Sequence, residues 1–526
     1  MRKIEKFIED HIILLLIDDI DLNDETFLSS LQSQLKSFGR ARFIASAEET
    51  MSKQCALINF EDDNLKKYYI HDITSKEVHQ LTNSWPNISI ENKKKVEEKI
   101  MQIFNQMHIP FNYWTTSLFL WIFEKTDESN IHNNFELVKL YIDEILDKKN
   151  FVLDRTISIE YDDLKSYLAN LAEYILKNDY HIEEHSLTTF TEDYRKNNKK
   201  FTMTTWDTIR FLLDKAVITE INNRYTFRLK GVFEYFLAYR MKEFDNFKEE
   251  VLSNYEFFLS FGNELELYAG FRKDDIETVK RVYETIQKML KPLTDLPDYA
   301  EIDTRLDDQI QVSYSNLKIT GELLDRLSDL SSEEQQDLLP TTSVPIDDSI
   351  VKAKVGYPNI EANSSTMEKG LFILARVYRN SNVCNTALLS NEILEYVITG
   401  SCNLGFLLVK NINTIELKET DDAKCFIQMV SNFMPIIIEA FLYDAISQKN
   451  LIRIFEEKLY ELQKNPKGNE LRLFLIALIL VDLDIKNNMH YLTNTLPFIK
   501  KKVLRYAVIN KMLLIIMKNS DNQALI

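Results

Sequence analysis

Three carboxylates, Asp18, Asp19 and Asp21, stand directly after the aliphatic run Ile12-Ile13-Leu14-Leu15-Leu16-Ile17. Acids so closely spaced can hold a divalent cation or prepare a water molecule for attack. An ionised carboxylate taken out of bulk water needs a cation, water or a hydrogen-bonding partner. The aliphatic run fits a strand buried on both faces, as in a parallel sheet covered by helices. Ligands gather at the C-terminal end of such a strand, where these acids fall. The plainer alternative is an ordinary strand followed by a solvated acidic turn.

Other residues capable of chemistry are sparse. His181 and His185 are four apart and could share a helix face as metal ligands, but no third ligand accompanies them. Cys55, Cys384, Cys402 and Cys425 lack metal-ligand spacing and read as the reduced thiols of a cytoplasmic protein. Lys93-Lys94-Lys95 and Lys500-Lys501-Lys502 read as solvated helix surfaces.

The totals bound the architecture. A chain of 526 residues with 45% apolar content can build several packed domains. Ten glycines and ten prolines are few for a β-rich protein and imply long helices. A net charge of −18 argues against a nucleic-acid or anionic-membrane surface over the whole chain. The run Leu473 to Val481 is far short of a membrane span, and residues 1–6 lead into no signal-like apolar region.

The elements that must position the acids read as strand, helix, strand. Asp24 can cap a helix through Phe27, Leu31 and Leu35, closed by Gly39, before a second strand at Ala41 to Ala45 that ends at Ser46. This is a βαβ unit. A third short strand is expected at Lys67 to Ile70. From Ser75 the pattern is helical: Ser75 to Leu81, Lys93 to Met107, Phe111 to Lys125 after Pro110, Phe135 to Asp147 with an Asn133/Glu136 capping box, and Tyr161 to Lys177.

Between Ser186 and Met241 two helices, the second with Trp206, Ile209 and Leu212 on its apolar face, precede strands at Ala216 to Ile221 and Arg224 to Leu229. Asn222-Asn223 would join them as a tight hairpin. Helices followed by a hairpin are the order of a winged helix, though another small α+β subdomain would read the same way. The stretch Tyr225-Thr226-Phe227-Arg228-Leu229-Lys230-Gly231-Val232-Phe233-Glu234-Tyr235-Phe236-Leu237-Ala238 then resembles the winged-helix signature of NACHT-type STAND NTPases, which ends in Glu-Tyr-Phe-x-Ala. Read back from it, Ile13 to Asp21 looks like a Walker B strand and Phe43 to Ser46 like the sensor-1 strand. His108-Ile109-Pro110 is similar to the Pro-led helix that touches the nucleotide base. The resemblance covers residues 1 to about 245.

That resemblance implies a mainly α chain: an incomplete α/β P-loop core followed by helical lid, winged helix and α-helical C-terminal region. The implied domains are 1–74 (partial core), 75–185 (lid), 186–245 (winged helix), 246–338 (helical region), 339–365 (linker) and 366–526 (sensor). It implies ATP or ADP with Mg²⁺, Asp18 on the metal, and Asp19 and Asp21 assisting catalysis. Ser46, Pro110 and Arg228 would contact nucleotide. It also implies oligomerisation on sensing a protein or phage-derived trigger at the C-terminal helices, in antiviral defence.

Departures from the pattern bear on turnover. No G-x-x-x-x-G-K-[ST] loop occurs, so phosphate-cradling backbone donors would have to precede Met1. Ala47 stands where the family has Arg after sensor 1, and Leu229 stands where it has a phosphate-binding His. The chain as written is expected to lack ATPase activity. A nucleotide-free scaffold that keeps the fold, and a winged-helix DNA-binding regulator disfavoured by the acidic balance, are the competing readings. The C-terminal helices show no sustained period, which leaves bundle and solenoid both open.

Overall fold

The computed structural model describes residues 14–20, 42–47, 73–86, 88–106, 111–125, 134–146, 160–221, 224–253, 258–294, 362–414, 421–484 and 486–523, with a few isolated positions besides. Helix dominates these residues, as the scarcity of Gly and Pro requires. The chain divides into two compact units, Met1–His71 with Glu220–Tyr225, and Asp72–Thr219 with Thr226–Ile526.

In the first unit β1 (Leu14–Ile20) and β2 (Arg42–Ala47) form a parallel pair in which Leu14, Leu15, Leu16 and Ile17 face Arg42, Phe43, Ile44 and Ala45. Both expected strands are therefore present and parallel. Burial on both faces is not. Leu16 and Ile44, opposite one another in register, are 74% and 63% exposed. An aliphatic run implies two covered faces only where a second layer exists on each side, and among the described residues none covers the face bearing these two side chains. The expected helix from Asp24 to Gly39 and the strand at Lys67 to Ile70 lie outside the described residues.

The second unit opens with α1 (Ser75–Ser84), α2 (Ile90–Gln106), α3 (Tyr113–Lys125) and α4 (Asn134–Ile145). Thr74 caps α1, with Glu77 closing a capping box, and the helix begins at Ser75 as expected. The core of these helices is a row of rings, Phe111, Phe104, Phe119 and Tyr141, each 4.9 Å from the next. The Asn133 cap and Pro110 fall outside the described residues.

Next come α5 (Tyr161–Lys177), β3 (Ile182–Glu183), α6 (Glu184–Asn197), α7 (Thr205–Asp214), β4 (Ile218–Ile221), β5 (Arg224–Phe227) and α8 (Lys230–Glu243). The sheet order is β3-β5-β4. The two-residue strand β3 is too short to leave a periodic signal, and the sequence reading missed it. Trp206 is 67% exposed, so the buried stripe of α7 is Thr208, Ile209 and Leu212 instead. Helix α8 is buried almost all round, and its Phe233 and Phe236 rings pack 5.4 and 6.0 Å from Phe227 at the end of β5.

After α9 (Asp245–Ser253), α10 (Gly262–Phe271) and α11 (Ile276–Thr294) the description resumes at α12 (Ser364–Asn380). The side chain of Asn363 accepts from Thr366 N at 2.9 Å, so the last residues of the expected linker are a helix cap. Then follow α13 (Ala387–Thr414), α14 (Asp421–Ile446), α15 (Ile452–Lys464), α16 (Glu470–Leu483), α17 (Asn488–Thr495) and α18 (Lys502–Gln523). Helix α12 sits centrally, packing on α10, α11, α13 and α14. Gly405 on α13 lets Ile438 of α14 approach where a Cβ would overlap it. The segment Leu388–Lys410 of α13 is long and apolar enough to cross a membrane, with mean hydropathy 1.3, but 61% of its most apolar 18-residue window is buried inside the protein. That is how a core helix behaves.

Candidate functional site

The strand pair brings three of the expected site residues together through its register. Ile17 pairs with Ala45 and Ile20 with Ala47, so two residues of β1, Asp18 and Asp19, span the interval that Ser46 alone spans on β2. An extra residue on one strand bends it and re-aims its side chains, a device common beside active sites. The irregularity thus falls on the acidic dipeptide, opposite the one hydroxyl of β2. The strand continues through Ile20, so the acids lie within its C-terminal end and not beyond it, as the sequence suggested. Asp21 lies outside the described residues.

Arg228 follows β5, where its backbone N–H donates to Val217 O at 3.0 Å and its side chain is exposed. Its charge reaches the phenol of Tyr141 on α4. Burial pushes that phenol's pKa up, and the Arg228 guanidinium acts against the shift. The Tyr141 hydroxyl is buried with no hydrogen-bond partner among the described residues. Leu229 is buried and stands at the N-cap of α8 without a capping side chain. Asp18 and Ser46 belong to one unit and Arg228 to the other.

A second constellation, which sequence reasoning missed, is ionic and buried. On α12, Arg379 donates from Nη2 to Glu266 Oε1 on α10 at 2.7 Å and from Nη1 to the carbonyl of Asp444 on α14 at 2.7 Å. Asn380 Nδ2 reaches the same Glu266 oxygen at 3.0 Å. Arg376, one turn earlier, lies 3.4 Å from Glu266 Oε2, 3.7 Å from Asp444 Oδ2 and 3.3 Å from Asn263 Oδ1. Asn263 Nδ2 in turn donates to Glu234 Oε2 on α8 at 2.9 Å. One chain of contacts therefore links the Glu-Tyr-Phe helix to α10, α12 and α14.

Burial makes this network consequential. The Arg379 and Glu266 side chains are 1% and 4% exposed. Arg376 stacks 3.7 Å over the ring of Phe372, and burial, opposed by the charge of Glu266, pulls its pKa down to about 10. Arg379 is held firmly by short bonds. Arg376 instead divides itself among three longer contacts on two helices, α10 and α14. The available signal was two arginines and an asparagine at the end of the apolar helix Leu371-Phe372-Ile373-Leu374-Ala375.

His181 precedes β3 and His185 lies in α6, so the pair does not share a helix face as the sequence suggested. Among the described residues no group of three His, Cys, Asp or Glu side chains is arranged to hold a metal ion. Comparison with known protein families, characterised proteins and solved structures returns no match.

Proposed function

We propose that this chain is the C-terminal part of a NACHT-type STAND ATPase switch, in which ADP is held in a closed state and exchanged for ATP on sensing a trigger. The observation that carries the reading is the parallel pair whose irregularity sets Asp18 and Asp19 against Ser46. A Walker B acid and a sensor hydroxyl on neighbouring strands would meet Mg²⁺ and the γ-phosphate from one side. The exposure of Leu16 and Ile44 fits a sheet face that a helix layer of a larger α/β core would cover.

On this reading residues 75–185 are the lid, and residues 186–245, with α7, β4, β5, α8 and most of α6, are the winged helix. Arg228, exposed after β5, is the cation that the resemblance assigns to the nucleotide. The C-terminal helices sense a protein or phage-derived trigger. Rigid-body displacement of α12 or α14 would reach α8 through the Arg379, Arg376 and Glu234 network, because packed and ion-paired elements move as units. The protein would then form a homo-oligomer and activate an upstream effector. A scaffold without nucleotide is favoured at one point, the buried Leu229, which offers phosphate no hydrogen bond.

The test joins the chain to its upstream P-loop segment and measures Mg²⁺-dependent ATP binding. Asp18→Asn should abolish the Mg²⁺ dependence while leaving weak metal-free binding. Equal Mg²⁺ dependence in the two proteins would remove Asp18 from the site.

A further inference from the structure

A cleft of about 700 Å³ opens between α11 and α13, with the buried Met367 of α12 in its lining. That is the size of a pocket for a small organic ligand. The two helices run the same way. Just before α11 and α13 the chain is tied to itself, where Asn382 N–H donates to Lys273 O at 2.8 Å. About two turns into each helix the Tyr283 and Tyr396 rings meet, 5.5 Å apart and 79° from parallel.

This direction sorts the charges that line the cleft. Glu392 and Glu395 stand on the first turns of α13, before Tyr396. Lys288 and Lys291 stand on α11, roughly 8 and 12 Å beyond Tyr283 at 1.5 Å per residue. Carboxylates therefore mark one end of the cleft and ammonium groups the other. Glu395 is engaged from behind by Lys458 of α15, which is 5% exposed and also meets Glu461 at 2.9 Å. Glu392 is exposed and meets no cation among the described residues. The Tyr396 hydroxyl is shielded from water and has no hydrogen-bond partner among the described residues. A buried donor orphaned in a cleft wall calls for an acceptor that a ligand would bring.

We propose that this cleft binds a short peptide of three or four residues with both ends free. Its ammonium lies at Glu392 beside the two tyrosine rings, and its carboxylate lies at Lys288 and Lys291. Three or four extended residues span roughly 10 to 14 Å, which matches the separation of the charged ends. Ring faces and a carboxylate together hold an ammonium group. The Tyr396 hydroxyl donates to a peptide carbonyl, and Met367 offers an adaptable contact to an apolar side chain. A polyanion would be repelled at the glutamates, and a simple cation would leave the lysines unanswered. A segment within a longer protein offers at most one charged end. The site uses none of the residues of the strand pair and does not rest on the nucleotide reading.

The experiment titrates Ala-Leu-Ala and Ala-Phe-Ala into the full chain by calorimetry at low salt, with free ends, N-acetylated, and C-amidated. The free peptides should bind saturably, and either cap should weaken binding about tenfold, as expected for loss of a charge-assisted contact. In Glu392→Gln the free peptides should bind about tenfold more weakly, and acetylation should then cost nothing further. Lys288→Met should likewise shrink the cost of amidation, while Tyr396→Phe should weaken free and capped peptides alike. Matched thermal melts without ligand establish that the variants are folded. No saturable binding of either free peptide to the parent, or a full acetylation penalty persisting in Glu392→Gln, overturns the proposal.

Discussion

Arg379→Met removes the cation from an ion pair in which both partners are almost wholly shielded from water. Two short hydrogen bonds disappear, to Glu266 and to the Asp444 carbonyl. Breaking a buried pair by deleting one partner costs about 3 to 5 kcal/mol, because the other charge stays buried. Glu266 keeps Asn380 at 3.0 Å and the longer Arg376 contact, which puts the loss toward the lower end. For a cooperative unit of several hundred residues, about 3 kcal/mol corresponds to a fall of roughly 3 to 4 °C in Tm. Thermal melts of Arg379→Met, Glu266→Leu and the double variant form a cycle. The double variant should be less destabilised than the two singles together, by at least about 1 kcal/mol. Hydrogen exchange should show α8, α10 and α12 losing protection together. Additive losses, or a Tm within 1 °C of the parent, would show that the network is not what joins these helices.

Two further outcomes follow from burial. Phe236 is fully buried against Phe227 and Tyr235, so Phe236→Ala should cost roughly 3 to 5 kcal/mol in urea denaturation; an unchanged midpoint would contradict the packing of α8 under the hairpin. On α14, burial and the neighbouring Asp482 raise the Glu439 pKa to about 7, with Lys511 opposing. Between the ordinary carboxylate pKa and about 7 the folded state binds more protons than the unfolded, so stability should fall as pH rises through that window. Glu439→Gln should flatten the fall and stabilise the protein at pH 8 by on the order of 2 to 3 kcal/mol, read from denaturation curves at pH 5 and pH 8.

Much of the helical framework was legible because apolar periodicity reports a face that must be covered. Tyr161 to Lys177 is a case where that face is continuous. Trp206 misled because a large ring at helical spacing reads as core, whereas α7 covers its stripe without it. The strands at Leu14 and Arg42 were legible as strands, but burial of Leu16 and Ile44 depended on layers that a local pattern cannot report. The acids were visible as a cluster; their placement opposite Ser46 came only from the register. The Arg379–Glu266 pair was illegible for a simpler reason. Its members stand 113 positions apart, and each alone reads as a solvent-facing charge.

The central claim is tested most directly by calorimetric titration of Mg-ATP into the chain as written and into the chain with a P-loop segment joined ahead of Met1. Triphosphate charge is costly to strip of water without backbone donors and a Lys to replace that water. The account predicts no tight binding to the first protein and tight, Mg²⁺-dependent binding to the second. Tight binding to the first would place the nucleotide elsewhere than the Asp18, Asp19 and Ser46 strands, and no binding to the second would make the protein a scaffold.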